Sequence, residues 1–429
     1  MVGEKTGNFM IEVLMTGQER KSSLLEFDRI QAVVVVALLC IGYLFIYSAT
    51  MVSEPGLWHA YRDLSWGEFL HWLWSKPFFK QIIWTGVGLI VAAAAYLLDY
   101  RLLIRWGRLI YWFTIVALVL VLIPGIGAVR FGARRWIDVG PFQFQPSEFA
   151  KLAVVLALVD YLSCQKEELT KGAKLWKTMA MIFLPVVLIV IEPDLGSAVV
   201  IIPTAFAIMY VAEIPTRHLM KMIGAMALIA AMFLVDVLFA PPNWQIKLQD
   251  YQRRRLLVYF GRPYPTPPGA TPEEVRRLRR QWLDDTYNVR QALICIGSGG
   301  VMGKGWRRST QIALGYLPRT IAHNDFIFSV LAEETGLVGS MMVLLLYGIL
   351  FFTGLRTAAR ASDRLGRLLS VGIVTLLFAH VLINIGMNVR LLPVTGVPLP
   401  FLSYGGTSLV CSLIAAGLLQ NVYVRRKGI

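Results

Sequence analysis

Uninterrupted apolar runs decide most of what this chain can fold into. Residues 32–49 (AVVVVALLCIGYLFIYSA) and 109–124 (LIYWFTIVALVLVLIP) contain no charged residue. A helical stretch of about 18–20 apolar residues matches the hydrocarbon thickness of a bilayer. Such runs recur along the 429 residues, and only 16% of the chain is charged. An ordinary soluble domain carries about 25%. Too little charge remains to cover a water-facing surface, which excludes a soluble enzyme. The expected fold class is an all-α polytopic membrane protein with about ten transmembrane helices. They fall near 30–50, 81–98, 109–124, 146–164, 178–192, 195–213, 219–240, 326–354, 368–388 and 400–423.

Basic residues near the helix ends give the orientation. Lys5, Arg20, Lys21, Arg29, Arg101, Arg105, Arg108, Lys166, Lys171, Lys174, Lys177, Arg217, Lys221, Arg356, Arg360, Arg364, Arg367, Arg425, Arg426 and Lys427 gather on one side. That side is expected to be cytoplasmic, with both termini inside and an uncleaved first span. Residues 1–29 form a cytoplasmic segment, 30–424 one transmembrane domain and 425–429 a cytoplasmic tail. The net charge of +15 then reads as anchoring charge facing anionic lipid, not as a nucleic-acid surface. Two stretches stand apart. Residues 53–80 are rich in Trp and Phe and suit an interfacial helix. Residues 241–325 form a large extracytoplasmic loop, in which 261–290 reads as a proline-rich loop followed by a short surface helix. Cys40, Cys164, Cys295 and Cys411 lie far apart without a CxxC, so neither a disulfide framework nor a zinc site is expected.

Charged groups at membrane depth are costly and are functional candidates by default. Glu148 and Lys151, in the 145–151 stretch (QPSEFAK), are three residues apart and can pair on one helical face. Asp194, in Glu192-Pro193-Asp194, stands where a helix begins, and its plain role is an N-cap. Asp325, in 322–328 (AHNDFIF), lies at the outer mouth of the bundle as a helix cap or a general base. Burial there raises a carboxylate toward the range a base needs. Ser329 is one turn on, and His323 is either a second acid/base group or a hydrogen-bonding partner. The run 297–306 (GSGGVMGKGW) is not a Walker A loop, yet Lys304 and backbone N–H groups could contact a phosphate. The prolines and glycines of 392–407 (LPVTGVPLPFLSYGGT), with Ser403, mean irregular backbone, tolerated at membrane depth only beside protein or a cavity. The cluster suits an amphiphile with an anionic head and a lipid tail.

On these motifs, with Gly132-Ala133-Arg134-Arg135-Trp136 and Glu192–Ser197 in the same order, the chain resembles the SEDS family: the RodA, FtsW and SpoVE proteins of bacterial peptidoglycan assembly. The 392–400 segment is more similar to the elongation members than to the division members. The resemblance implies a glycosyltransferase that polymerises lipid II into β-1,4 glycan strands and releases undecaprenyl pyrophosphate. It makes Asp325 the catalytic base. Arg134, Arg135, Glu148, Lys151, Asp194, Lys304, His323 and Ser403 are candidate lipid II or pyrophosphate contacts. The resemblance fixes no cofactor and leaves the metal requirement open: a divalent cation, magnesium or manganese, could share the charge of the leaving group. The implied partners are a class B penicillin-binding protein, other membrane proteins of the elongation complex and membrane lipid, with no nucleic acid. The sequence departs from the family where Arg319-Thr320-Ile321-Ala322 replaces a shorter segment with a Glu after the proline, and at Asn324 and Thr335. A lipid II flippase and a non-catalytic scaffold for wall enzymes are the competing readings.

Overall fold

The computed structural model describes residues 27–51, 65–130, 133–140, 142–163, 172–239, 250–266 and 269–427. In chain order the elements are α1 (Arg29–Met51), α2 (Trp66–Ser75), α3 (Pro77–Leu97), α4 (Tyr100–Arg105) and α5 (Gly107–Leu122). A sheet of β1 (Gly127–Arg130), β2 (Ala133–Val139) and β3 (Phe142–Phe144) follows, then α6 (Pro146–Leu162), α7 (Gly172–Ile191), α8 (Leu195–Val211) and α9 (Thr216–Phe239). The outer segment holds α10 (Asp250–Tyr259), α11 (Pro272–Ser298), α12 (Thr310–Ala313) and α13 (Arg319–Ala322). The chain ends with α14 (Ile327–Ala359), α15 (Arg364–Asn388), α16 (Gly406–Val424) and a 3-10 turn at Arg425–Lys427. A helix occupies every stretch expected to span. Among the described residues, α1, α3, α7, α9, α14, α15 and α16 are long and apolar enough to cross a bilayer, and α5 and α8 are shorter apolar helices. The protein is a multi-pass membrane protein.

Packing sorts these helices by depth. A helix that is apolar all round is buried in a core or faces lipid, and both outcomes occur. In α6 every residue from Ala150 to Val159 is buried, and its closest neighbours are α5, α8 and α15. In α15 and α16, 72% and 78% of the most apolar window is buried, whereas in α9 only 6% is. Thus α9 stands at the rim, with Met220, Leu228, Ile229, Met232 and Phe239 outward. At the end expected to be cytoplasmic, charge pairs join distant helices. Asp28 binds Arg356, and Asp363 takes Arg101 Nε at 2.8 Å and the Tyr100 hydroxyl at 2.9 Å.

At the end expected to be outside, the structure corrects four boundaries. The loop at 125–145 is an antiparallel sheet, β1–β2–β3, with Ile137 opposite Phe144. The helix expected to be short is the 27-residue α11. It starts from a capping box in which Thr271 accepts from Glu274 N and Glu274 accepts from Thr271 N, and no glycine or proline interrupts it before Gly297. Residues 77–80 belong to α3, leaving α2 as the helix of the stretch expected at the interface, while 52–64 lie outside the described residues. The last helix begins only at Gly406. Cys164, Lys166, Lys171 and the basic residues of the first 26 positions also lie outside the described residues.

The helix α14 is broken at Gly336, whose φ of 69° is left-handed. Loop residues 300–305 cross the break. Lys304 and Gly305 donate to the carbonyls of Glu333 and Glu334 at 3.0 and 2.9 Å, and Leu337 and Val338 donate to those of Gly300 and Val301 at 2.9 and 3.1 Å. A β-carbon on Gly303 would come within 2.2 Å of the Glu334 carbonyl oxygen, and one on Gly336 within 2.4 Å of Gly303 N. Only two glycines permit the two backbones to approach this closely.

Candidate active site

The turn His323–Phe326 joins α13 to α14. The amides of Asn324 and Asp325 both donate to the Ile321 carbonyl. The first residue of α14 is Ile327, its N-cap is Phe326, and no side chain caps it. Asp325 is therefore not a capping residue. Its main chain is fixed instead: the carbonyl accepts from Asn384 Nδ2 at 3.2 Å and Asn388 Nδ2 at 3.0 Å. Asn388 Oδ1 accepts in turn from the Ser329 hydroxyl at 2.6 Å. Asp325 itself is partly exposed.

The irregular 392–405 segment packs on this turn. Ser403 Oγ donates to the Asn324 carbonyl at 2.7 Å and accepts from Leu399 N at 2.9 Å. Tyr404 N donates to the His323 carbonyl, and the Tyr404 and His323 rings lie 5.2 Å apart. Ser403 and His323 thus shape the turn. At Gly396, which has a φ of +74°, a β-carbon would lie 3.5 Å from Asp325 Oδ2 and 3.8 Å from both terminal nitrogens of Arg255. Arg255, on α10, also donates to the Val394 carbonyl at 2.9 Å. A guanidinium and a carboxylate therefore meet across one glycine.

The other side of the 394–397 segment faces α8. Where a β-carbon of Gly196 would project, Val397 Cγ2 is 2.4 Å away, so the backbone of α8 touches the segment directly. Asp194 caps α8 through Ser197 N at 3.2 Å. Its second oxygen takes the Ser147 hydroxyl at 3.0 Å and Gln145 Nε2 at 3.2 Å. Arg135, on β2, donates to the carbonyls of Glu192 and Pro193. Four motifs that are remote in sequence converge here.

The charges are coupled. Burial raises Asp325, the guanidinia of Arg255 and Arg135 pull it back, and Asp194 pushes it up again; the balance lies above the usual carboxylate range. For Asp194, burial is outweighed by Arg135, Lys151 and the Ser197 contacts, which hold it low. Glu192 is wholly buried with neither carboxyl oxygen hydrogen-bonded, and burial beside Asp194 pushes it up to about 9. An ionised Asp194 and a reluctant Asp325 are two carboxylates pushed apart by their environments.

Deeper in the bundle, Lys151 Nζ binds Glu148 Oε1 at 2.6 Å in a pair that is 2–3% exposed. Lys304 is placed differently from its expected role. Its ammonium binds Glu333 Oε1 and the Thr310 hydroxyl, each at 2.6 Å, and the loop amides beside it serve the α14 break. The 297–306 loop crosses the α14 break, and Lys304 is held there by Glu333 and Thr310. Arg134 lies on the outer sheet, partly exposed. Sequence reasoning missed Arg255, His380, Asn384 and Asn388. The three α15 residues are four apart, a polar stripe inside an apolar helix, and that spacing was the available signal.

A fixed carboxylate at the mouth of a membrane bundle, faced by guanidinium groups and irregular backbone, defines an intramembrane enzyme class that acts on an amphiphile. The comparisons make this specific. A model for the cell cycle protein family of FtsW, RodA and SpoVE matches residues 29–428, and the chain belongs to that family. Peptidoglycan glycosyltransferase MrdB of Escherichia coli K12 is 35% identical over 352 residues, 81% of this chain and 86% of that one. Stage V sporulation protein E of Bacillus subtilis is 34% identical over 399 residues, covering 92% and 96%. The rod shape determining protein RodA of Thermus thermophilus superposes with a TM-score of 0.60 at 27% identity, over 94% of this chain and 99% of that one. A chain from a peptidoglycan synthase complex that coordinates polymerization and crosslinking reaches 0.69 at 27% identity, over 94% and 100%.

Proposed function

We propose that the protein is a peptidoglycan glycosyltransferase that polymerises lipid II, with Asp325 as general base. The observation that carries this reading is the placement of Asp325. Its carbonyl is tied down by two asparagines, its residue is partly open, and Arg255 lies just across Gly396. A base must be positioned before its basicity matters. Asp325 takes the proton of the 4-hydroxyl of the acceptor N-acetylglucosamine. That oxygen attacks C1 of N-acetylmuramic acid on the growing strand from the face opposite the pyrophosphate. The C1–O bond to undecaprenyl pyrophosphate breaks, and the α-linkage becomes β-1,4.

A pyrophosphate leaves as a stable anion, so it needs positive charge in preference to an acid. Arg255 and Arg134 are the cations assigned to it, with Arg135 holding the Glu192–Asp194 turn and Lys151 closed in its buried pair with Glu148. Among the described residues no three carboxylates, histidines or cysteines converge to hold a metal ion. A divalent cation sharing the leaving group's charge is therefore assigned no protein ligands. The exposed rim of α9 suits entry of a polyprenyl tail from the bilayer.

The elongation role, the inner-membrane location with both termini in the cytoplasm, and the pairing with a class B penicillin-binding protein belong to the same reading. They rest on the similarity to MrdB and to the chain from a synthase complex. The test is glycan formation from lipid II by purified protein in detergent, where flipping has no meaning. Polymer from the wild type and none from folded Asp325→Asn is expected. Polymer from Asp325→Asn at the wild-type rate removes Asp325 as the base, and no polymer from folded wild type favours the flippase or scaffold.

A further inference from the structure

The Lys151–Glu148 pair lies on α6 and Asp325 in the turn before α14, yet one face of α15 touches both. His380, Asn384 and Asn388 are spaced by four residues and therefore lie along one ridge of α15. His380 is 5% exposed, and Asn384 and Asn388 are 0% and 1% exposed. Asn388 and Asn384 both donate to the Asp325 carbonyl. Asn384 also donates to the Val397 carbonyl at 2.7 Å. One turn further in, His380 Nε2 lies 2.9 Å from Lys151 Nζ, and Nδ1 lies 3.3 Å from the Pro398 carbonyl.

The partners assign the tautomer. An ammonium has only donors, so Nε2 accepts from Lys151; Nδ1 then carries the hydrogen and donates to Pro398. The ring is a one-donor, one-acceptor bridge from α6 to the 394–400 segment. That segment, through Gly396 and Val397, is the wall against which Asp325 and Arg255 rest. Buried polar networks of this kind fix a unique arrangement when every member is satisfied.

We propose that His380 is a positioning residue for glycan polymerisation: it couples the Lys151–Glu148 pair to the Pro398 carbonyl and so sets the register of the wall facing Asp325. The proposal rests on Asp325 being the base. His380 touches no reacting atom in this scheme. Its loss displaces the wall, not the substrate's anchoring groups, so the effect falls on kcat and leaves KM in place.

The experiment uses the full chain in detergent with lipid II as substrate. Initial rates and melting temperatures are measured for the wild type, His380→Leu, His380→Gln, His380→Asn and Asp325→Asn. Displacement of a catalytic wall by about 1 Å can cost up to about 100-fold, so His380→Leu is expected to lose at least about ten-fold in kcat with KM within about two-fold. His380→Gln keeps one donor and one acceptor and is expected to recover most of that loss. His380→Leu at wild-type kcat, or His380→Gln as slow as His380→Leu at equal melting temperature, overturns the proposal. Should His380→Leu fail to fold, His380→Asn decides. It keeps a donor for Pro398 and gives up the reach to Lys151. A kcat loss with unchanged melting supports the bridge, and wild-type kcat refutes it. Asp325→Asn separates the two ideas: full activity there sinks the base assignment, whereas an inactive Asp325→Asn beside a fully active His380→Leu sinks only the bridge.

Discussion

Asp325 Oδ2 lies 3.5 Å from the point where a β-carbon on Gly396 would sit, and both terminal nitrogens of Arg255 lie 3.8 Å from that same point. The absent side chain at Gly396 is what lets the carboxylate and the guanidinium face one another.

Gly396 is in the left-handed region, where an L-residue costs roughly 1–2 kcal/mol. The Gly396→Ala variant fits sterically but is strained, and about 1 kcal/mol of stability is expected to go. Gly396→Val places two methyl groups against the carboxylate and should abolish polymerisation while the protein still melts cooperatively. Wild-type glycan yield from Gly396→Val would show that this gap is not where substrate reacts.

Rate and stability respond to Asp325 in opposite directions. As a base it works ionised, so kcat/KM rises with pH until its raised pKa is passed. Its stability contribution is full below the unfolded carboxylate pKa and is lost as pH climbs through the folded one. Arg255 lowers that pKa, so Arg255→Gln should shift the acid limb of the pH–rate profile to higher pH, and Arg255→Lys should largely restore it. An unmoved limb in Arg255→Gln places the guanidinium too far away to matter.

Glu192 makes a separate prediction. Its carboxyl is pushed from 4.5 to about 9, so the folded state retains a proton that the unfolded chain surrenders. Stability from this group is therefore lost as pH rises between those values. Glu192→Gln removes the cost, and its melting temperature should exceed the wild type's by a few degrees, with a gap that widens up to about pH 9. A constant gap across that window shows that Glu192 does not titrate there.

Lys304 tests structure against catalysis. Removing it leaves the fully buried Glu333 without its cation. Removing one partner from a fully buried pair costs roughly 3–5 kcal/mol, and Lys304 is 26% exposed, so about 2 kcal/mol is expected from Lys304→Met. KM for lipid II should stay unchanged in the folded fraction. A several-fold rise in KM without loss of melting temperature would return Lys304 to the substrate.

What was legible in the sequence follows the strength of the physical signal. The apolar runs gave the helices, because burying twenty apolar residues in lipid overrides local preference. Asp325, Glu148, Lys151 and Asp194 were legible because charge at membrane depth is expensive and needs a reason. The Asp194 cap and the Glu148–Lys151 pair follow from spacing along one helix. Arg255 was not legible: it ends a run of three arginines whose helix nothing in the local pattern places over the 394–396 backbone. The acceptors of His380 and Asn384 are main-chain carbonyls, and a carbonyl carries no residue identity. The pairing of Lys304 was hidden for another reason: its partner Glu333 lies 29 positions away on another element. The sheet at 127–144 was hidden by strands of three to seven residues, too short for an alternating pattern to emerge.

The crossing at Gly336 has a mechanical corollary. Rungs that α14 lacks are supplied by a loop continuous with α11, so the upper portion of α14 is tethered to a rod some forty ångströms long, at about 1.5 Å per residue, over the 27 residues of α11. The four amide–carbonyl contacts of the crossing thus add to the direct packing of α11 on α14, and the first two turns of α14 are braced by an element outside the bundle's spans.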